Sequence, residues 1–257
     1  MCVAVFAPTA CGGGPTPNPP PGKGRVRVAA AADLNAALGA LVAQFRASHQ
    51  VDVSVSYGSS GMFYTQLLNG APFDVFLSAD VEYPRQLAAR GLTIPDQEFT
   101  YAVGRLVLWT RASSPANFVR DGLRSAADSA VTHVAVANPE HAPYGRAAMA
   151  ALQAAGVADR VRPKLVYGES VAQAMQFVQS GAAEVGIVAL SLAVAPGLEN
   201  QGRWTEIPPT LYPRMEQGGT ILRWAVDVES AKGFRAYLLG TEARALLKQY
   251  GFSTPGT

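Results

Sequence analysis

Val26-Arg-Val-Ala-Ala-Ala-Ala-Asp-Leu34 is a short apolar run that stops in a tract of small residues and one aspartate. Beyond it Leu34, Leu38, Leu41, Val42 and Phe45 recur at helical spacing. The stretch therefore predicts a buried strand over Arg25–Val28, a tight turn and an amphipathic helix. Three further stretches repeat that order. Tyr57-Gly-Ser-Ser-Gly61 follows the alternating Val51, Val53 and Val55. Asn138-Pro-Glu-His-Ala-Pro-Tyr-Gly-Arg146 follows His133–Ala137, and Gly168-Glu-Ser-Val171 follows Lys164–Tyr167. Each turn opens a helix, whose first N–H groups have no intrahelical acceptor and sit at the positive end of the helix dipole. Such ends bind anions without lysine or arginine. Four of them in one chain point to a site for a small anion.

Working outward, Asp74–Ser78 and Arg105–Trp109 are expected strands, and Tyr83–Ala89 a helix ended by Gly91. Helices are expected over Gly145–Ala155 and along Val171, Ala174, Met175 and Val178, then a strand over Val185–Ala189. Thr220–Val226 is the last expected strand, before helices near Ser230–Leu239 and Thr241–Tyr250. Alternating strands and helices predict an α/β protein with parallel sheets covered on both faces. In such sheets ligands bind beyond the C-terminal strand ends, where the four turns lie. No G-x-G-x-x-G or P-loop pattern is present, which argues against a nucleotide cofactor.

The chain has 257 residues, enough for two modest domains. It is 49% hydrophobic and 16% charged, as compact proteins are. Its 21 basic and 19 acidic residues leave a net charge of +2 without dense basic runs, so nucleic acid is a poor partner. The body from Arg25 onward lacks cysteine. Residues 1–24 are different in character. Cys2–Ala10 is apolar, Pro-Thr-Ala precedes Cys11, and Gly12–Gly24 is a Pro/Gly-rich tether. This segment resembles the end of a bacterial lipoprotein signal, with Cys11 as the acylated residue.

Taken together, Val26–Leu34, Ser56–Gly61, Gly70–Asp80, Asn138–Arg146, Ser180–Val188 and Tyr250–Phe252 resemble the molybdate-binding proteins of ABC importers. The resemblance covers essentially the whole body. It implies a two-lobed periplasmic-binding-protein fold of type II, with two mixed sheets flanked by helices and a ligand cleft between the lobes. The lobes are expected as 25–103 with 222–257, and 104–221, joined by two hinge crossings. The implied function is non-enzymatic. A monomer on the periplasmic or outer side of a bacterial membrane, possessing no cofactor and no metal centre, captures molybdate or tungstate and delivers it to a membrane permease. Carried over by position, the oxyanion contacts are Ala32, Asp33, Ser59, Ser60, the Tyr144 N–H and the Val171 N–H. Hydrogen bonds to charged groups contribute about 1.5–3 kcal/mol each. Six supply roughly 9–18 kcal/mol gross, against the ~12 kcal/mol net of a nanomolar site, so the cleft has to close almost completely around a dehydrated ion.

Two positions depart from the family pattern. Asp33 stands where serine is frequent, and Ala189 where a tyrosine often follows the Gly-Ile-Val strand. Asp33 is expected to cap the following helix through Asn35 or Ala36 N–H. Alternatively it accepts from a protonated oxyanion, or is protonated and donates to the ligand, which keeps phosphate or sulfate receptors open as alternatives. The Tyr144 hydroxyl is a candidate substitute for the missing tyrosine. Ser59 and Ser60 can also be read as helix caps, His141 as a hydrogen-bonded loop histidine, and Arg146 as either a surface pair or an anion contact. A serine hydrolase using Ser60 is a further alternative, although Gly58-Ser-Ser-Gly61 is one residue too short for a nucleophile elbow. A regulator's sensing domain is disfavoured, because 24 proline-rich residues cannot form a DNA-binding helix pair.

Overall fold

The structure is a computed structural model that describes residues 24–114, 121–198 and 200–256. The expected leader and Cys11 lie outside the described residues. The chain first runs through β1 (Arg25–Ala31), α1 (Asn35–His49), β2 (Asp52–Gly58), α2 (Ser60–Leu68), β3 (Val75–Ser78), α3 (Glu82–Ala89) and β4 (Phe99–Gly104). It crosses at Arg105 into β5 (Leu106–Arg111), β6 (Val134–Ala137), α4 (Pro143–Ala154), α5 (Ala158–Val161) and β7 (Leu165–Gly168). There follow α6 (Val171–Ser180), β8 (Val185–Ala189), α7 (Leu190–Ala193) and β9 (Gly202–Glu206). A second crossing leads to β10 (Met215–Ile221), α8 (Val228–Leu238) and α9 (Thr241–Gln249).

Two five-stranded sheets result, ordered β2-β1-β3-β10-β4 and β7-β6-β8-β5-β9. In the first, β2, β1 and β3 are parallel, while β10 is antiparallel to both β3 and β4. The second repeats this plan, with β7, β6 and β8 parallel and β5 antiparallel to both β8 and β9. Both sheets are mixed, as the family resemblance implies, whereas strand–helix alternation by itself predicts parallel ones. The antiparallel strands are those next to the crossings. Each of β10 and β5 enters its sheet directly from the other lobe, not through a crossover helix from a strand beside it, so neither is bound to run parallel.

The division of the chain also differs from the sequence expectation at one end. The expected second lobe, 104–221, includes Met215–Ile221, and the expected strand is Thr220–Val226. Instead β10 pairs with β3 and β4 in the first sheet, so the return crossing lies between Glu206 and Met215. Glu216-Gln-Gly-Gly219 has no apolar alternation, which hides the first half of this strand from pattern reading. The two crossings are tied together. The Arg105 guanidinium pairs with Glu206, and the Leu106 N–H donates to the Tyr212 hydroxyl at 3.1 Å.

Burial explains the elements. Leu34, Leu38, Leu41, Val42 and Phe45 face one core with Phe234, Leu238 and Leu247 from α8 and α9. Phe63, Leu67, Phe76 and Leu87 cover the opposite face of the first sheet. The core of the second lobe includes Ala31, Ala32 and Ala79 from the first, so the lobes are in packing contact across the cleft. Among the described residues no helix is long and apolar enough to cross a membrane.

Candidate functional site

The four turns converge. Ala32 and Asp33 lie in a single 3₁₀ turn between β1 and α1, beside the end of β2, where Ala31 pairs with Gly58. Ser59 is the N-cap residue of α2, but its hydroxyl makes no capping bond. Ser60 is the first residue of that helix, and its Oγ accepts from the Ala79 N–H at 2.9 Å. That acceptance leaves the hydroxyl proton directed elsewhere, so Ser60 can donate to an anion.

From the second lobe, Pro143 occupies the first turn of α4, where its missing N–H costs nothing. Tyr144 is next, and its N–H has no intrahelical acceptor. Gly145 permits this turn to approach β6, since a Cβ there would lie 2.2 Å from the Ala137 carbonyl oxygen. Ser170 caps α6 by accepting from the Gln173 N–H at 3.3 Å, which leaves the Val171 N–H facing outward.

All six expected contact residues line one cavity between the lobes, together with Ala31, Gly58, Ala79, Ala142, Pro143 and Ser170. All six are buried. The cavity leaves about 10 Å³ for the centre of a water-sized sphere, room for little more than one small polar group. No lysine, arginine or histidine is among its lining residues. What it offers is N–H groups at helix starts and one serine hydroxyl, an arrangement suited to a compact anion.

Asp33 does not cap the helix as expected: neither the 3₁₀ turn nor α1 has a side-chain cap. Its Oδ2 instead accepts from the Tyr144 hydroxyl at 3.0 Å and from the Gln217 amide. The same amide also reaches the Tyr144 hydroxyl oxygen at 3.3 Å. Oδ1 is buried and has no hydrogen-bond partner. Burial pushes the carboxyl up to about 6, against the pull of the Gln217 and Tyr144 bonds. The N–H groups of Asp33 and Leu34 lower it further without reaching hydrogen-bonding geometry. The Tyr144 hydroxyl is therefore held against Asp33, which corrects its expected role as a substitute for the missing tyrosine. Burial and the adjacent Asp33 raise its own pKa well above the ordinary tyrosine range.

The contacts that clasp the lobes escaped pattern reading, although Ser59, His141 and Arg146 are legible as candidates. The His141 carbonyl accepts from the Ser59 hydroxyl at 2.7 Å and the Gly61 N–H at 2.9 Å. The Ser59 hydroxyl proton is thus committed to the other lobe, and what Ser59 retains for an anion is main chain. The His141 ring lies 3.2 Å from the Glu169 carbonyl, as a loop histidine would. Arg146 crosses to Asp80 at 2.6 Å and to the Tyr83 hydroxyl at 3.2 Å. Ser191, two residues past Ala189, donates to the Asp33 carbonyl at 2.8 Å. Gln217 and Ser191 carry no local signal; a buried glutamine beside two glycines is the only hint, and it is visible only once β10 is known.

A model of the bacterial extracellular solute-binding proteins matches residues 26–253, nearly the whole described body. The chain belongs to that family. It is 40% identical over 202 residues to the molybdate-binding protein ModA of Rhodobacter capsulatus, covering 79% of this chain and 77% of that one. It is also 40% identical over 222 residues to ModA of Azotobacter vinelandii, covering 86% and 87%. The solved structure of the Azotobacter vinelandii periplasmic molybdate-binding protein superposes with a TM-score of 0.84 and 34% identity, over 90% of this solute-binding protein and 99% of that chain. The shared architecture is the two-lobed α/β fold described above.

Proposed function

We propose that this chain is the solute-binding component of an ABC importer that captures molybdate or tungstate between its lobes and delivers it to a membrane permease. The observation that carries the reading is the small, buried cavity lined from both lobes by helix N-termini and by no cation. Kinship with the two ModA proteins supports the choice of ion. The contacts are the main chain of Ala32, Asp33, Ser59, Tyr144 and Val171 with the Ser60 hydroxyl. The protein acts outside the cytoplasm, as a monomer, anchored through Cys11, and needs no cofactor. Binding rather than hydrolysis is favoured by Ser60 itself. Its Oγ is engaged by a peptide N–H, whereas an activated nucleophile needs a base at hydrogen-bond distance.

One feature favours a second reading, a receptor for hydrogen phosphate. The bare Oδ1 of Asp33 can accept from a protonated oxyanion. Calorimetric titration of ligand-stripped protein with molybdate, tungstate, sulfate and phosphate at pH 6 and pH 8 separates the two. Tight binding confined to molybdate and tungstate is the expected result. Phosphate binding that follows phosphate's own protonation assigns the site to the second reading, and no binding by any of the four ends both.

A further inference from the structure

We infer that Asp33 is a specificity-determining residue that takes one proton from solvent as the oxyanion enters and donates it, through Oδ1, to a fully deprotonated ion. The inference rests on the proposed function and deepens it, by assigning the charge state of ion that the site accepts.

The geometry divides the carboxyl into two unlike oxygens. Oδ2 collects two donors, the Tyr144 hydroxyl and the Gln217 amide, while Oδ1 has none and Asp33 lines the anion cavity. The elements packed around it supply no compensating cation. Tyr144 comes from α4 and Gln217 from β10. Tyr101 of β4 is near enough to feel the charge, but its hydroxyl donates to the Ser78 carbonyl. Asp80, after β3, is paired with Arg146, and Ser191 of α7 bonds the Asp33 main-chain carbonyl. The facing N–H groups are those of Asp33 and Leu34. A carboxylate in this setting stands beside a bound dianion with one oxygen unpartnered, in a medium where like charges repel strongly.

The groups that the proposed function gives the ion, the N–H groups at the helix starts and the Ser60 hydroxyl, are donors. A fully deprotonated tetraoxo anion needs donors on all sides, and an ionised Asp33 in the cavity lining sets an acceptor without a partner beside it. Adding a proton to Oδ1 removes the repulsion and converts that acceptor into a donor. The balance is simple: one proton leaves water or buffer, one O–H bond forms at Oδ1, and the complex carries one negative charge fewer than anion plus carboxylate. Burial has already moved the carboxyl to about 6, so a dianion has little further to push it. Gln217 and Tyr144 are positioning residues here, since they hold Oδ2 and so fix which oxygen stays free for the proton.

The test is calorimetric titration with molybdate at pH 7.5 in buffers of different ionisation heat, from which the protons taken up per ion bound are read directly. The wild-type protein is expected to take up about one proton and to lose affinity by up to about 10-fold per pH unit above neutrality. Asp33→Asn presents an amide N–H in place of the acquired O–H. It is expected to take up no proton, to have a flat pH profile, and to bind molybdate on the order of 10–100-fold tighter than wild type at pH 8. Thermal melting of the variant verifies its fold, and the wild-type proton count stands without it. Molybdate binding with no proton uptake and no pH dependence overturns the inference while leaving the proposed function intact. Absence of molybdate binding to the wild type at any pH overturns both.

Discussion

The two lobes close on the same cavity but arm it differently. The first lobe adds polar side chains, the Ser60 hydroxyl and the Asp33 carboxyl, to the main chain of its turns after β1 and β2. The second contributes main chain, through Tyr144 and Val171 at the starts of α4 and α6. A helix start is held by its whole helix and cannot be removed by one substitution, whereas a hydroxyl or carboxyl can. Under the proposed function the second lobe holds the anion in position, and the side chains of the first set which anion is accepted. Closure joins these roles, because the His141 carbonyl is gripped by Ser59 and Gly61 from the opposite side.

The contrast breaks most completely at Gly61. A methyl group there would lie 2.5 Å from the His141 carbonyl oxygen and 2.6 Å from the Tyr83 hydroxyl. The Tyr83 hydroxyl belongs to the same lobe and is a side-chain end that can shift, whereas overpacking of about 1–3 kcal/mol against His141, with two lost hydrogen bonds of about 1 kcal/mol each, falls on the closed form. Gly61→Ala is expected to weaken molybdate binding on the order of 10²–10³-fold with little change in melting temperature. A titration showing wild-type affinity would remove Gly61 from the closure.

Asp33 sharpens the contrast through stability. Its folded-state pKa of about 6 lies above the unfolded value of about 3.9, so the folded protein binds more protons between those limits. The contribution is fully present below pH ~4 and is lost as pH rises through 6. Asp33→Asn does not suffer this loss. Without oxyanion, the variant's stability relative to wild type should rise by about 3 kcal/mol between pH 4 and pH 8, measured by denaturant unfolding. A difference that stays constant over this range would show that Asp33 is not buried as a charge.

Ser60→Ala removes one hydrogen bond to the ion, about 1.5–3 kcal/mol, and leaves the Ala79 N–H without its acceptor. Affinity should fall by roughly 10–100-fold, with the proton count on binding unchanged. The smallest effect is expected at Arg146, whose bridge to Asp80 joins a half-exposed guanidinium to a mostly buried carboxylate. Arg146→Ala should weaken binding by less than about fivefold, and the difference should shrink as salt is raised. A loss comparable to that of Ser60→Ala would place Arg146 in the anion's field rather than at the rim.

Contiguous patterns made much of this legible. The apolar run before Ala32, the hydroxyl pair at Ser59 and Ser60, and Pro143 before Tyr144 are local signals, and each sits where its strand and helix place it. The N-cap reading of Asp33 failed because Asp, Ser, Thr and Asn cap helices only when no better donor competes for them. Two such donors arrive from residues 111 and 184 positions away. The strand over Met215–Ile221 was half missed for a related reason: its Gly218 and Gly219 are shaped by neighbours across the sheet, not by alternation.

By itself, the sequence determined the two-lobed α/β plan and the four helix starts that line one cavity, because strand period, helix period and turn chemistry act over a few residues. Only the tertiary structure decided that Asp33, Tyr144 and Gln217 meet at the cavity, that Ser59 spends its hydroxyl on His141, and that β10 returns to the first sheet. Those outcomes depend on which distant groups are buried together, and a buried polar group takes the partners that closure brings within reach.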